Sequence, residues 1–289
     1  MQTFETPKPI TVIIDVHVRG DITLLASERT DTAVDVRPRS ATRPRDVRVV
    51  ENAQVDFTDG RLSISVRPRL PYNWLSDGGA VDIVIELPTG SSLDVKSAMG
   101  DISCRGEFLT AELKSAMGQI RVEHSGDLRA KTGYGDLTVE RVIGQADIHT
   151  GSGRLRIGEI DGDAVVRNGN GDTIVGDVTG ELRARAANGD ITIERAGKSV
   201  VAKSSNGSIQ VGEVERGAVT LETSMGSLTV GVREGSAAWL DLNTKYGHVK
   251  NELDATTGPE ESTPTTEIRA RSAYGDITIR RSRGAALSA

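Results

Sequence analysis

The sequence has few of the residues that build thick cores, disulfide frameworks or metal sites. Aromatic residues make up 3% of the 289 residues, and Cys104 is the one cysteine. A single cysteine excludes an internal disulfide framework, and Cys104 stands at an apolar position of the repeat described below, which indicates a small buried side chain. The four histidines fall at different positions of that repeat, so the sequence predicts no metal centre and no cofactor. The interior should therefore be thin and aliphatic.

Long apolar runs are also missing. No stretch of about 18 apolar residues could cross a membrane as a helix, and residues 1–15 lack the basic and then apolar segments of a secretory signal. The formal net charge is −6 and the sequence pI is near 5.4, which gives no global reason to expect a nucleic-acid partner. We therefore expect a cytoplasmic protein without membrane insertion.

What the sequence does contain is one short phrase repeated ten times. Residues 96–104 read KSAMGDISC, and residues 271–279 read RSAYGDITI. The shared glycines are separated by 18, 17, 18, 18, 18, 18, 19, 21 and 28 residues. A period this short predicts a solenoid in which each repeat buries its apolar face against its neighbours. We call the shared residues the corner glycines: Gly100, Gly118, Gly135, Gly153, Gly171, Gly189, Gly207, Gly226, Gly247 and Gly275.

Apolar residues alternate with other residues on both sides of each corner glycine. Around Gly189, Leu182 and Ala184 precede the glycine by seven and five residues, and Ile191 and Ile193 follow it by two and four. A period of two on each side of a turn predicts two short strands per repeat, each with one face directed inward. The sequence therefore predicts an all-β fold, a single-chain parallel β-helix (β-solenoid) with about ten coils of 18 or so residues.

Polar residues before the corner glycines form two further columns. Asn170, Asn188 and Asn206 stand directly before three successive corner glycines. Asparagine tolerates left-handed backbone angles and its amides can pair along a stack, so we expect left-handed asparagines and an amide ladder at this corner. Three residues before most corner glycines, a hydroxyl is expected to cap the turn. This hydroxyl column comprises Ser97, Ser115, Thr132, Thr150, Ser204, Thr223, Thr244 and Ser272.

Residues 10–87 are rich in β-branched residues but lack the strict period. The phrases that begin at Gly20 and Gly60 resemble the repeat, which indicates degenerate first coils or an N-terminal cap. An open solenoid end exposes unpaired backbone groups and invites end-to-end assembly, so a cap is expected. The predicted strands are residues 10–18, 21–25, 33–37, 47–50, 62–67 and 81–87.

These observations divide the chain into three parts. Residues 1–90 are predicted to form the strand-rich N-terminal cap or degenerate first coils, and residues 91–281 the solenoid repeats. A loop rich in Gly, Pro, Ser, Thr and Glu at 251–266 is inserted before the last coil. Residues 282–289 are predicted to be a disordered tail.

Several phrases of the repeat match a known family. They include GEIDG at 158–162, NGDITI at 188–193, SAAWLD at 236–241 and YGDITIR at 274–280. On these phrases the chain resembles a bacterial family of β-strand-repeat proteins named putative adhesins, whose domain has no known function. The resemblance covers nearly the whole chain. It implies a single-chain parallel β-helix, with no catalytic residues to transfer.

An aspartate follows five of the corner glycines, and 18 residues equal two of the nine-residue repeats that bind calcium in secreted β-rolls. Those repeats need paired glycines and an aspartate in every turn. Residues such as Gln119, Arg154 and His248 interrupt the aspartate column here, so the sequence does not favour calcium. The column comprises Asp101, Asp136, Asp172, Asp190 and Asp276.

An enzyme is the alternative from another functional class. Polysaccharide-cleaving enzymes also use parallel β-helices, with carboxylates clustered in long loops on one face. The corners of this repeat are tight, and the one long insertion contains Glu260 and Glu261. We therefore expect a protein that is not an enzyme, and keep a carbohydrate-active β-helix enzyme as the alternative.

A basic column stands four residues before the corner glycines. Since positions seven and five before the glycine point inward, this position should point outward, with cations about 4.8 Å apart along one edge. Two interpretations stay open. Corner aspartates such as Asp101, Asp136, Asp172 and Asp190 neutralise the column, or the edge receives an acidic partner surface or a polyanion. The basic column comprises Lys96, Lys114, Lys131, His149, Arg167, Arg185, Lys203 and Arg271.

The function predicted from the sequence is a non-enzymatic, adhesin-like β-solenoid that works as an interaction scaffold. An unidentified protein is the expected partner, with a polyanion or a glycan as alternatives, and the chain is expected to be a monomer or a homodimer. A structure separates scaffold from enzyme, because an enzyme needs a groove with convergent carboxylates.

Overall fold

The computed structural model describes residues 1–67, 79–253 and 265–282. By compactness the chain forms two units, Met1–Ile143 and Gly144–Ala289. The division predicted from the sequence, at residue 90, is of another kind, because it separates the cap from the repeats. It stays a prediction. Most of the predicted insertion and all but one residue of the predicted tail lie outside the described residues. Within the described ranges, no helix has the length and apolar character needed to span a membrane.

The described residues of the first unit form ten strands and one helix. Its long strands bend, so that one strand serves two sides of a coil. The elements are β1 (Gln2–Glu5), β2 (Thr11–Ser27), β3 (Asp31–Pro38), α1 (Pro44–Glu51), β4 (Gln54–Thr58), β5 (Arg61–Val66), β6 (Ala80–Pro88), β7 (Ser91–Met99), β8 (Ile102–Met117), β9 (Ile120–Tyr134) and β10 (Leu137–Val142).

Strand β2 is the first coil of this unit. It pairs in parallel with β7 and β8 on one edge and with β5 and β6 on the other. Gly20 occupies its corner, because a Cβ added to Gly100 would lie 2.1 Å from the Gly20 carbonyl oxygen. The Asp21 carboxylate accepts a hydrogen bond from the Asp101 backbone N–H at 3.0 Å. The phrase that begins at Gly20 is therefore a coil of the solenoid, as the sequence indicated.

The parallel strands β5 and β6 cover the outer edge of the first coil, and antiparallel strands extend this cap. β4 pairs with β5, and β3 pairs with both β1 and β6. The phrase that begins at Gly60 is part of this cap, which is the second of the two alternatives that the sequence left open. Asp59 and Gly60 have φ angles of 51° and 72° and form the tight turn of the β4–β5 hairpin. This turn conformation, rather than a repeat corner, accounts for the glycine.

The strand predicted at 47–50 is wrong, because these residues lie in helix α1. Pro44 stands in the first turn, where a missing N–H costs nothing. The carboxylate of Asp46 is buried and accepts backbone N–H bonds from Ser40 at 3.1 Å and Ala80 at 2.9 Å. Val49 is buried on the same helix. Tertiary anchoring by Asp46 and Val49 therefore outweighs the β preference of the valines.

Outside its two undescribed stretches, the second unit forms fourteen strands, two for each coil. The elements are β11 (Ala146–Ser152), β12 (Leu155–Ile160), β13 (Ala164–Asn170), β14 (Thr173–Val178), β15 (Leu182–Asn188), β16 (Ile191–Ala196), β17 (Val200–Asn206), β18 (Ile209–Val214), β19 (Gly217–Met225), β20 (Leu228–Val232), β21 (Ala237–Tyr246), β22 (Val249–Asn251), β23 (Thr265–Tyr274) and β24 (Ile277–Arg281).

These strands form two parallel stacks in which each strand pairs with the equivalent strand of the next coil. Odd-numbered strands form one stack and even-numbered strands the other; for example, Ala164 pairs with Leu182 and Thr173 with Ile191. Residues at the inward positions are buried throughout the central coils. The β-solenoid fold predicted from the sequence is confirmed.

The coil order of the second unit departs from the chain order. β19 pairs with β23, and β23 pairs with β21, so the coil that comes last in sequence lies between the two before it. β20, β24 and β22 follow the same order. The inserted coil buries Ile268, Ala270, Ile277 and Ile279 completely. The displaced coil, residues 237–251, lies at the end of this unit's stack, and we call it the end coil.

The corner glycines are required by backbone angle and by close approach. Gly207 has φ +153°, and a Cβ added there would lie 2.0 Å from the Gly189 carbonyl oxygen. Among the described residues, Asp59 is the only non-glycine with positive φ, so the predicted left-handed angles of Asn170, Asn188 and Asn206 are wrong. Glycine itself makes the turn.

The polar ladders at the corner are confirmed. The Asn188 amide donates to the Asn170 side-chain oxygen at 2.7 Å, and the Asn206 amide donates to that of Asn188 at 2.9 Å. Six hydroxyls of the hydroxyl column donate to corner carbonyls of the neighbouring coil, as in the 2.9 Å bond from Thr223 to Gly207, whereas the buried Ser97 hydroxyl has no hydrogen-bond partner among the described residues. Both columns therefore tie consecutive coils together at the turn.

Cys104 occupies an inward position and is fully buried. Burial raises the pKa of its thiol to about 12, because the thiolate would lose its solvation. The interpretation of Cys104 as a small core residue is confirmed.

Candidate functional site

The basic column lies on the outward face of the strands, in one run within each unit. In the first unit Lys96, Lys114 and Lys131 are register neighbours. In the second unit His149, Arg167, Arg185 and Lys203 are register neighbours, and the run continues through Glu222 to Arg271 and Asn243. The structure therefore brings the predicted edge residues together as two ladders.

Acids on the same sheet face pair with several of these cations. Lys96 lies 3.6 Å from Asp94, and Lys114 lies 2.5 Å from Glu112. The hydrogen bond from Lys114 holds the pKa of Glu112 below its ordinary value, despite the opposing effect of burial. In the second unit Arg167 lies 3.3 Å from Asp147. These exposed pairs balance charge locally and add little stability.

The corner aspartates Asp101, Asp172 and Asp190 form no ion pair with the basic column among the described residues, and their role in neutralising it stays a prediction. Each accepts a hydrogen bond from a backbone N–H of the next coil. The donors are Gln119 for Asp101 at 2.8 Å, Asp190 for Asp172 at 3.3 Å and Ser208 for Asp190 at 2.7 Å. A carboxylate directly after the corner lies beside the next coil's turn and satisfies a donor there. These aspartates are therefore structural.

An open groove of about 860 Å³ follows the basic column in the second unit. Small residues two positions before the corner glycines, Ser205, Ser224 and Ala273, line it together with the longer side chains of the column. The hydroxyl column contributes as well. The complete lining is Arg185, Ala186, Lys203, Ser204, Ser205, Glu222, Thr223, Ser224, Lys245, Arg271, Ser272 and Ala273.

The groove carries four cations and one carboxylate. Lys203 lies 2.5 Å from Glu222, so the charges of these two residues balance each other, and Arg271 lies 3.6 Å from Asp241. The Arg185 guanidinium has no ion pair within the described part of the chain, and it is exposed. Lys245 places its Nζ atom 5.4 Å from the centre of the Tyr246 ring. The groove is therefore positive, with Arg185 available for a new partner.

The coil order builds this groove. Because β23 lies between β19 and β21, Arg271 follows Glu222 in the ladder and Lys245 comes from the end coil. Sequence reasoning named Arg185, Lys203 and Arg271 but missed Lys245. The signal that could have predicted the groove is the small size of Ser205, Ser224 and Ala273, since small residues leave space beside long side chains.

An exposed apolar strip adjoins the groove residues along the chain, and sequence reasoning missed it. Met225, Tyr274 and Tyr246 stand directly before their corner glycines and are register neighbours. They are 54%, 55% and 55% exposed, and the two tyrosine rings stack with centroids 4.8 Å apart. Large apolar side chains in contact with one another and with water are typical of contact surfaces.

The groove suits binding of anions better than hydrolysis of a glycosidic bond. Glycoside hydrolases use two carboxyl groups on either side of the bond they cleave, and this groove contains Glu222 alone, in an ion pair. The described residues contain no group of three or more His, Cys, Asp or Glu side chains that could hold a metal ion. Glu260 and Glu261 of the predicted insertion lie outside the described ranges.

Solved structures similar to this chain include three bacterial proteins. They include a putative adhesin from Bacteroides fragilis, at 15% identity and a TM-score of 0.44 over 96% of this chain and 95% of that one. A putative adhesin from Parabacteroides merdae matches at 11% identity and a TM-score of 0.40 over 96% and 94%. A putative lipid binding protein from Parabacteroides distasonis matches at 13% identity and a TM-score of 0.32 over 97% and 95%.

Among curated proteins, none matches the chain. The model of one protein family, Toastrack DUF4097, matches residues 11–284, which is nearly the whole sequence. That match agrees with the resemblance drawn from the repeated phrases. The chain belongs to the Toastrack DUF4097 family.

Proposed function

We propose that this chain is a non-enzymatic binding scaffold whose basic groove receives an acidic segment of a partner protein. The observation that carries the proposal is the charge of the groove: Arg185, Lys203, Lys245 and Arg271 line it with a single carboxylate, Glu222. The cytoplasmic location expected from the sequence stays a prediction, and the proposal does not depend on it.

The groove favours an extended ligand over a compact one. Arg185, Lys203 and Arg271 lie in one ladder of neighbouring strands about 4.8 Å apart, in which Glu222 stands between Lys203 and Arg271, so these cations form a line rather than a cluster. The carboxylates of an extended acidic peptide can follow such a line. Arginine binds carboxylates through two parallel hydrogen bonds, and Arg185 has no competing acid among the described residues.

The scaffold also holds the groove in shape before a partner arrives. The groove residues belong to β15, β17, β19, β21 and β23, whose inward neighbours in the inner coils are buried. Binding to a preformed site loses less conformational entropy. The exposed strip of Met225, Tyr274 and Tyr246 adds apolar contact of the kind enriched at protein interfaces.

The proposal is tested with labelled poly-L-glutamate and fluorescence anisotropy. A groove variant, Arg185→Glu with Arg271→Glu, is compared with a control of equal charge change, Arg156→Glu with Arg216→Glu, whose residues are exposed and do not line the groove. We expect the groove variant to lose binding and the control to retain it. Binding should weaken as salt rises, because exposed charges are screened over about 8 Å at physiological ionic strength.

Two results would overturn the proposal. Equal loss in both variants would mean that only net charge matters, and no binding by the native chain would mean that the groove is not an acidic-peptide site. Heparin serves as a comparison, since tighter binding of heparin than of poly-L-glutamate in the same groove would point to a polyanion instead of a protein partner. Melting temperatures of both variants check that the fold is retained.

A further inference from the structure

The inward side chains of the end coil are more exposed to solvent than those of the two coils next to it in the stack. Its inward residues Leu240 and Leu242 are half-buried, whereas Val219, Leu221, Ile268 and Ala270 in the same columns of the neighbouring coils are 0% exposed. The coil's other strand shows the same contrast, since Val249 is 47% exposed while Ile277 and Leu228 are 0% exposed. Apolar interior residues therefore meet solvent at this coil.

Strand β21 also has one backbone edge that pairs with no described strand. Among the described strands it pairs only with β23. The Tyr246 and His248 carbonyls accept hydrogen bonds from Gly275 and Ile277, and backbone groups alternate in direction along a strand. The even-numbered residues of β21 therefore face β23, while the N–H and C=O groups of Trp239, Asp241, Asn243 and Lys245 face away. A free edge of this length invites another strand.

We propose that a second copy of this chain occupies this edge, with the two β21 strands antiparallel about a two-fold axis at Asn243. This register places Asp241 opposite Lys245 of the second copy, twice per dimer. It also makes Trp239, Asp241, Asn243, Lys245 and Gly247 the hydrogen-bonded positions, which are the residues whose backbone groups face the open edge. The strand is thus complementary to itself in charge and in backbone direction.

Two other antiparallel registers that use the same backbone groups are less favourable. An axis at Asp241 would place two aspartates opposite each other, and an axis at Lys245 would place two lysines opposite each other. Like charges directly across a strand pair are destabilising. With the axis at Asn243, Leu240 lies opposite Tyr246 and Leu242 opposite Thr244, which continues the inward column across the interface. A closed two-fold contact also limits assembly to a dimer.

The test is a charge-swap cycle read by sedimentation equilibrium over a range of protein concentrations. Asp241→Lys alone and Lys245→Asp alone should each raise the dimer dissociation constant by about tenfold or more, because each places like charges together. The double variant should restore the native constant. Within one chain these two residues are four positions apart, about 13 Å along the strand, so a rescue reports contact between copies.

A second experiment uses the chain's own chemistry. Cys104 is buried, with a pKa raised to about 12, so Asn243→Cys introduces the one reactive thiol. A short bismaleimide should then cross-link two copies, whereas the exposed control Arg216→Cys should not. A native chain that stays monomeric at every concentration would overturn the proposal, as would a double variant no better than the single ones. If another segment of the same chain covered this edge, the native chain would stay monomeric at every concentration.

Discussion

The first coil, β2, and the end coil differ in how they are covered. β2 has strands on both edges, and its inward residues Val12, Ile14, Ile22 and Leu24 are 0% exposed. The end coil pairs on one edge among the described strands, its inward residues Leu240 and Leu242 are half-buried, and its inward Val249 is 47% exposed. Both coils use the same alternating pattern. The comparison shows that the pattern specifies the strand, while neighbouring elements decide whether an inward residue is buried.

The largest expected effect is a charge placed in the interior of an inner coil. Ile191 and Ile193 are 1% and 0% exposed. Replacing either with Asp would bury a carboxylate without a partner, at a cost of about 3 kcal/mol or more in the free energy of unfolding. Chemical denaturation monitored by circular dichroism measures this cost.

The matched control is Val249→Asp in the end coil, where the residue is already 47% exposed. It should change the unfolding free energy by about 0.5 kcal/mol or less. If this variant were as unstable as Ile191→Asp, the end coil would be covered and the comparison would fail.

The corner glycines give the next largest effect. Gly207→Ala would bring a Cβ within 2.0 Å of the Gly189 carbonyl oxygen at a φ of +153°, and the forced backbone shift should cost about 1–3 kcal/mol. Gly247→Ala meets the Gly275 carbonyl oxygen at 2.2 Å. The end coil can move away on its open side, so we expect a smaller loss. Equal shifts in melting temperature would contradict that expectation.

The amide ladder should contribute less. Asn188 makes two side-chain bonds, with Asn170 and Asn206 at 2.7 and 2.9 Å. Asn188→Ala should cost about 1 kcal/mol, since the bonds are exposed to water. Asn243 of the end coil makes no side-chain hydrogen bond to any described residue, so Asn243→Ala should leave the monomer's melting temperature unchanged. Differential scanning calorimetry of the two variants separates the cases.

The smallest effect is a pH dependence in the first unit. The pKa of Glu112 is lowered from its ordinary value of 4.5 by the hydrogen bond from Lys114. A lowered carboxyl pKa stabilises the fold above pH 4.5, and that contribution is lost as pH falls through the lower pKa. Glu112→Gln should therefore melt slightly below the native chain at pH 7 and match it in strong acid. A constant difference across pH would assign the effect to packing.

Much of this structure could be predicted from the sequence, because the repeat places each column by counting from a glycine. The inward residues, the corner glycines, the hydroxyl column and the amide ladder were all readable in this way. Gly60 shows the limit of the method. Its phrase matches the repeat, yet hairpin pairing between β4 and β5 decides its role. Helix α1 escaped prediction because the contacts of Asp46 with Ser40 and Ala80 are not local.

The coil order was the main feature that the sequence did not reveal. Counting along the chain places Arg271 after Asn243, whereas the structure places it beside Glu222. A physical reason is that the coil at 265–281 has four fully buried aliphatic residues, while Asn251 of the end coil is exposed at an inward position. Burying the more apolar coil is favourable. The groove depends on this order, so counting columns named its cations but could not assemble the site.

Hydrogen exchange tests the contrast between the two coils most directly. Backbone amides of β2 and β21 would be followed by mass spectrometry in dilute and concentrated solutions of the native chain. We predict slow exchange in β2 at both concentrations, and exchange in β21 that is fast when dilute and slow when concentrated, because a second copy then covers the edge amides of Trp239, Asp241, Asn243 and Lys245. Equal protection of β21 at both concentrations would contradict the account of an open edge that pairs with itself.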